Sequence, residues 1–175
     1  MIDTEPALPT DVEGPIFLRR IGRSGFPTHE LVAAGTTIAR LGRDGPLRLF
    51  FGRGRRVQLV DGTEWRLKAT SAGPYIVPII KARSGLIASS GPLGGHRCYG
   101  INGKEFGFVL IPLGRTRVLG QVGWLLRRHD DEVATIDTDR VLHTNEPIPI
   151  AAALMAFTLI DHGIPGEAKL MPTHQ

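Results

Sequence analysis

The run Ile150-Ala151-Ala152-Ala153-Leu154-Met155-Ala156-Phe157-Thr158-Leu159-Ile160 contains one polar residue, Thr158. It predicts a helix near 148–162 that is apolar on every side. A helix on a protein surface keeps a polar face; one without such a face is enclosed by a large core or crosses a membrane. A membrane span takes about 17–25 apolar residues, and this run is far shorter. The helix is therefore expected to be wrapped by the rest of the chain. Its ends are marked. Pro149 suits a first helical turn, where the missing N–H has no partner to lose, and Thr144 or Asn145 offers an upstream capping oxygen. Gly163 suits the left-handed residue that closes a helix, and Pro165 cannot continue it. His162, when protonated, would face the negative end of the helix dipole.

What precedes the helix reads as short strands. Ile16-Phe17-Leu18 and Leu31 to Leu41 are expected strands, separated by the turn-rich Gly22-Arg23-Ser24-Gly25. Leu47 to Phe51 and Val57 to Val60 follow, joined by the basic turn Arg53-Gly54-Arg55-Arg56. Asp61-Gly62 predicts a two-residue type I′ hairpin, which needs positive φ at both central positions. Beyond it Trp65, Leu67 and Ala69 alternate with Glu64, Arg66, Lys68 and Thr70, the pattern of a half-buried strand with one face in water. Tyr75 to Lys81, Leu86 to Ser89, Arg97 to Ile101, Phe106 to Leu110, Val118 to Leu126, Val133 to Ile136 and Arg140 to His143 extend the series. The expected turns between them include the Gly91-Pro92-Leu93-Gly94-Gly95 loop, Asn102-Gly103 and His129-Asp130-Asp131.

An antiparallel sheet of this many strands leaves exposed edges unless it closes. An eight-stranded barrel is filled by its own side chains, and only a wider one has room for a helix. The expected fold is thus mainly β: a closed antiparallel barrel of about 10–12 strands around one buried C-terminal helix. Residues 1–14 form an expected flexible lead-in, and residues 15–170 a single barrel domain. The 22 Gly and 13 Pro, spread through the 175 residues, suit many short strands joined by turns.

Charge is unevenly distributed. Residues 1–18 carry −4, residues 19–128 carry +14 from 19 Lys and Arg against 5 Asp and Glu, and residues 129–175 carry −6. A strongly basic middle points to an anionic partner, lipid headgroups or nucleic acid; the plainer reading is that basic strands meet the acidic C-terminal segment within one fold. The lone Cys98 has no partner for an internal disulfide, which predicts a reducing compartment. With no charged and then apolar leader at the start, the expected location is cytoplasmic, at most peripheral to a membrane.

Catalytic and metal signals are sparse. The six histidines show no His-x-x-x-His spacing, there is no Cys-x-x-Cys, and no metal or other cofactor is expected. His129, Asp131 and Asp137, with Asp130 and Asp139, are the densest group of titratable residues, and they mark where an enzymatic site would lie if there were one. Asp161-His162 reads as a satisfied helix end. No Gly-x-Ser-x-Gly elbow is present, and Cys98 reads as a half-buried strand cysteine. Gly52-Arg53-Gly54 lacks the third glycine and the following helix of a dinucleotide fingerprint.

The order of strands and helix is similar to the tubby-like barrel superfamily, which includes the LURP-one-related and phospholipid-scramblase-like proteins. The residues that carry the likeness are the helix Ile150 to Asp161 and hairpins such as Val57-Gln58-Leu59-Val60-Asp61-Gly62-Thr63-Glu64-Trp65, within about residues 45–165. The resemblance implies a barrel around a central helix. In phosphoinositide-binding members, basic side chains two apart on a strand grip the headgroup, and Arg66-Leu67-Lys68 resembles that arrangement in reverse order. Fold does not determine activity, and lipid scrambling is not carried over. Arg53, Arg55 and Arg56 crowd one turn while Arg66 and Lys68 share a strand face. Arg is suited to bidentate phosphate contact, but a bias of 17 Arg against 4 Lys is also what a GC-rich genome gives, and the plainer reading of this patch is a solvated basic face. These five residues are the expected ligand site of a non-enzymatic module that binds an anion, foremost a phospholipid headgroup. Nucleic acid on the same patch is the alternative, weakened by the 6% aromatic content, which is low for base stacking.

Overall fold

The computed structural model describes residues 11–45, 50–93, 98–113 and 123–162. Along the chain run β1 (Asp11–Val12), β2 (Ile16–Arg20), β3 (His29–Ala33), β4 (Thr36–Leu41), β5 (Arg55–Leu59), β6 (Glu64–Ala72) and β7 (Tyr75–Ala82). They are followed by β8 (Gly85–Leu93), β9 (Cys98–Gly103), β10 (Gly107–Pro112), β11 (Trp124–Arg128), β12 (Asp131–Ile136), β13 (Leu142–Thr144), β14 (Ile148–Pro149) and α1 (Ile150–Asp161). Strands β2 to β13 each pair antiparallel with the next in sequence, and β13 returns to β2, which closes a twelve-stranded barrel. The closing seam is short. One register pair, Leu142 with Ile16, joins β13 to β2, and the Gly14 N–H reinforces it by donating to Thr144 Oγ1 at 2.7 Å.

Inside the barrel stands α1, with every residue from Ile150 to Ile160 buried. It packs against β7, β8 and β9, and inward side chains such as Leu31, Val57, Leu67, Ile80, Ile101, Leu110 and Leu126 complete the core. The expected mainly β barrel around one buried helix is the observed architecture. Thr158, the one polar residue of the run, donates to the Leu154 carbonyl at 2.7 Å, so its hydroxyl needs no partner from the apolar wall. The helix start differs from expectation. Pro149 is the N-cap, in extended conformation and with no side-chain cap, and with Ile148 it pairs with Val12 and Asp11. Thr144 serves the barrel seam instead, and Asn145 Nδ2 donates to the Glu132 carbonyl at 3.0 Å. Gly163 and Pro165, like residues 1–10 of the expected lead-in, lie outside the described residues.

Several turns are also relocated. The stretch Leu31 to Leu41 is a hairpin, because Ala34 and Gly35 take φ of 48° and 82° between the paired Ala33 and Thr36. The Asp61-Gly62 hairpin has a three-residue loop: the Gly62 N–H donates to the Leu59 carbonyl, and the positive φ falls on Gly62. Asn102 and Gly103 belong to β9, and the turn lies at Lys104-Glu105, with the Gly103 N–H donating to the Phe106 carbonyl. Gly91-Pro92-Leu93 extends β8 as strand, paired with Cys98 to Gly100. Phe50 and Phe51 lie in a turn where strand was expected. Of the other expected elements, residues 47–49, 94–97 and 118–122 lie outside the described residues.

Candidate anion-binding surface

Strand alternation decides which basic side chains reach solvent. In β5 Arg55, Val57 and Leu59 point inward and are buried, while Arg56 and Gln58 point outward. In β6 Leu67 and Ala69 are buried, and Arg66 and Lys68 lie on the outer face. Register then brings cations together. Arg56 lies directly opposite Arg66, and Arg66 directly opposite Lys81, so three cations form one row across three strands. Like charges placed opposite one another on a sheet repel. Glu64 relieves part of this: its Oε1 accepts from Arg56 Nε and lies 3.8 Å from Arg66 Nη2. The Arg56 guanidinium also sits 4.1 Å over the Phe26 ring.

Arg53 is exposed in the turn before β5. Gly54, at φ +74°, presses that turn onto β6, where a Cβ would lie 2.4 Å from the Leu67 carbonyl oxygen and 2.8 Å from Lys68 Cγ. The turn bearing Arg53 therefore lies against Lys68. Of the five residues singled out in the sequence, Arg53, Arg56, Arg66 and Lys68 share the outer side of β5 and β6, and Arg55 does not.

Arg55 is 5% exposed. Its Nε donates to the Gly42 carbonyl at 2.9 Å and its Nη1 lies 3.7 Å from Asp44 Oδ1, while Nη2 is buried without a hydrogen-bond partner. Burial lowers its pKa, and the nearby carboxylates of Asp44 and Asp161 oppose that. Asp44 also takes His162 Nε2 at 3.4 Å. Burial pushes the Asp44 carboxyl up, but His162, Arg55 and the Gly45 N–H outweigh it and hold the pKa down at about 2. Asp161, raised by burial and opposed chiefly by Arg140, pairs with Arg140 Nε at 3.2 Å. The acidic C-terminal segment thus meets basic residues within the fold, as Glu146 also does with Arg128 at 2.5 Å.

The other sequence candidates stay apart. His129 lies in the turn before β12, Asp131 begins the strand and Asp137 follows its far end, which sets Asp131 and Asp137 about 20 Å apart along the strand. Asp137 accepts from Val141 N–H and Asp139 N–H and lies 3.0 Å from His143 Nε2, the partners of a turn-closing carboxylate. Among the described residues no group of three His, Cys, Asp or Glu is arranged to hold a metal ion. Burial raises the Cys98 thiol, away from the reactive thiolate form. Where α1 begins, a cleft of about 950 Å³ is walled by Leu59, Trp65, Leu86, Phe106 and Phe108. Asp61, Glu105, Lys104 and Arg128 are also among its walls, so it shows no preference for one sign of charge.

Fold and surface together define a class: an up-and-down twelve-stranded barrel closed around a helix, with a cationic row on its outer side. Comparison with protein-family models, with curated proteins and with solved structures returns no match.

Proposed function

We propose that this barrel is a non-enzymatic module of the tubby-like type that docks on anionic phospholipid headgroups through the outer side of β5, β6 and β7. The observation that carries the reading is the row Arg56–Arg66–Lys81, three cations in register with a single carboxylate, Glu64, between two of them. Such a row costs the isolated protein repulsion, and an external anion relieves it. Phe51, 46% exposed in the same turn as Arg53, favours a lipid surface over nucleic acid, since an apolar side chain beside a cation can enter the headgroup boundary. Among the described residues no helix is long and apolar enough to cross a membrane. The proposed contact is therefore with headgroups.

The test is sedimentation with phosphatidylcholine vesicles, with and without phosphatidylserine or phosphoinositide, beside a gel shift with duplex and single-stranded oligonucleotides. Binding to the acidic vesicles should weaken as salt rises and should fall in Arg66→Glu. Equal sedimentation with neutral and acidic vesicles ends the reading, and oligonucleotide binding without vesicle binding replaces it.

A further inference from the structure

A second basic concavity lies away from the outer row. Arg20 ends β2 opposite His29, the first residue of β3, and the connection between them folds back so that the Ile21 and Gly22 N–H groups donate to the Thr28 carbonyl. The segment after β4 brings Arg43, Asp44 and Gly45 against that loop. The result is a cavity of about 390 Å³ lined by Arg20, Arg23, Thr28, His29, Arg43 and Asp44, with the Gly22 and Gly45 backbone. Among the described residues Arg20, Arg23 and Arg43 form no ion pair, and Asp44, the one carboxylate, is already held by Arg55 and His162. The cavity is therefore left with an excess of unneutralised guanidinium groups.

Hydrogen bonding orients His29 toward the same task. Thr28 Oγ1 donates its single proton to the Gly42 carbonyl at 2.8 Å and lies 2.9 Å from His29 Nδ1. In the protonated ring both nitrogens carry hydrogen, so Nδ1 donates to Oγ1 and Nε2 is left as the open donor. Arg55 reaches the same wall from inside the barrel through the Gly42 carbonyl, with Nη2 unpartnered and nine-tenths of the residue buried. The guanidinium groups of Arg23 and Arg43, the Nη atoms of Arg20, whose Nε donates to the Gly22 carbonyl at 3.3 Å, a histidine with one open nitrogen and a buried cation behind them match an anion that carries two charges and several acceptor oxygens.

We propose that the pocket formed by Arg20, Arg23, His29 and Arg43 binds a phosphomonoester dianion. Arg23 and Arg43 supply the fork-like donors suited to phosphate oxygens, and protonated His29 donates from Nε2. Burial, Arg55 and Arg20 hold the His29 pKa below its ordinary value, against Asp44, which raises it. A bound dianion reverses the balance, so binding takes up a proton at His29.

The site is separate from the outer cationic row, and its test separates the two. Inorganic phosphate and glycerol phosphate are titrated into the full chain by calorimetry and by NMR of the His29 ring. The expected result is saturable binding, an upward move of the His29 titration, and a loss of about tenfold in affinity in Arg43→Gln and Arg23→Gln, with Arg66→Glu unchanged. A second arm uses phosphatidylcholine vesicles that contain phosphatidic acid, whose headgroup is the same chemical group. This arm is run in Arg66→Glu, which removes docking by the outer row: vesicle binding that is lost on adding Arg43→Gln, with weak response to the soluble ester, assigns a lipid source, and strong binding of the soluble ester assigns a free one. No saturable effect of either phosphate source, or binding of the soluble ester and of the vesicles in that background that Arg43→Gln leaves unchanged, overturns the pocket.

Discussion

His162 Nε2 lies 3.4 Å from Asp44 Oδ1, so the residue that closes the buried helix is tied to the segment between β4 and β5. The same oxygen lies 3.7 Å from Arg55 Nη1. One carboxylate therefore joins the end of the helix to the buried Arg55, and it is held ionised for that reason.

The consequence is a dependence of stability on acid. The folded-state pKa of Asp44 is about 2, below its ordinary 3.8. A depressed carboxylate contributes stability that is present above its unfolded pKa and is lost as pH falls through the folded value. The window is therefore pH 4 down to 2. The full shift would be about 2.4 kcal/mol, but the side chain is 40% exposed, and solvent screening reduces this to about 1 kcal/mol. Urea unfolding at pH 6, 4 and 2.5 should show Asp44→Asn less stable at pH 6 and converging on wild type at 2.5. Curves that stay parallel would remove Asp44 from the acid response.

The helix should respond to volume in both directions. Phe157, 1% exposed, is among the largest buried side chains, and Phe157→Ala should cost about 3–5 kcal/mol through the cavity it leaves. Ala153, wholly buried, should tolerate growth little better, with Ala153→Leu costing about 1–3 kcal/mol. Chemical denaturation measures both; a neutral Ala153→Leu would mean that the barrel is slack around its helix.

Two glycines separate conformation from contact. Gly62 takes φ +90° with nothing within 4 Å of a Cβ, so Gly62→Ala should cost about 1 kcal/mol from backbone strain alone. Gly54 adds a backbone oxygen at 2.4 Å, and Gly54→Ala should cost clearly more, about 2 kcal/mol or beyond. Equal midpoints in the two variants would show that the turn bearing Arg53 does not press on β6.

Glu64→Gln removes the charge that separates Arg56 from Arg66. Stability should fall by about 0.2–1 kcal/mol, the range of exposed ion pairs, while affinity for acidic vesicles rises. Vesicle affinity that falls with stability would mean that the row does not face the lipid.

The outline of this fold was legible because burial leaves a strong mark on composition. A helix without a polar face at Ile150–Ile160 demands a wall around it, and the alternation at Glu64 to Thr70 shows a wall strand with one wet face. Turn details were less legible, since positive φ is a property of backbone position: Ala34 takes it at 48° with no sequence signal beyond the glycine that follows. The candidate site was legible in part. The sequence places Arg53, Arg55 and Arg56 together, but strand alternation turns Arg55 into the barrel, and only the register that closes the sheet sets Lys81 opposite Arg66. The pocket of Arg20, Arg23, His29 and Arg43 was missed because its parts come from two separate loops. The one trace was the run of Gly and Arg in each, Gly22-Arg23 and Gly42-Arg43.

By itself the sequence determined that an apolar helix near the C-terminus would be enclosed by a closed mainly β wall. Hydrophobic periodicity is local, and it follows from covering or exposing each side chain in turn. Tertiary structure alone decided which cations stand together and which carboxylates hold them. Those distances depend on strand register and barrel closure, which couple residues far apart in the chain.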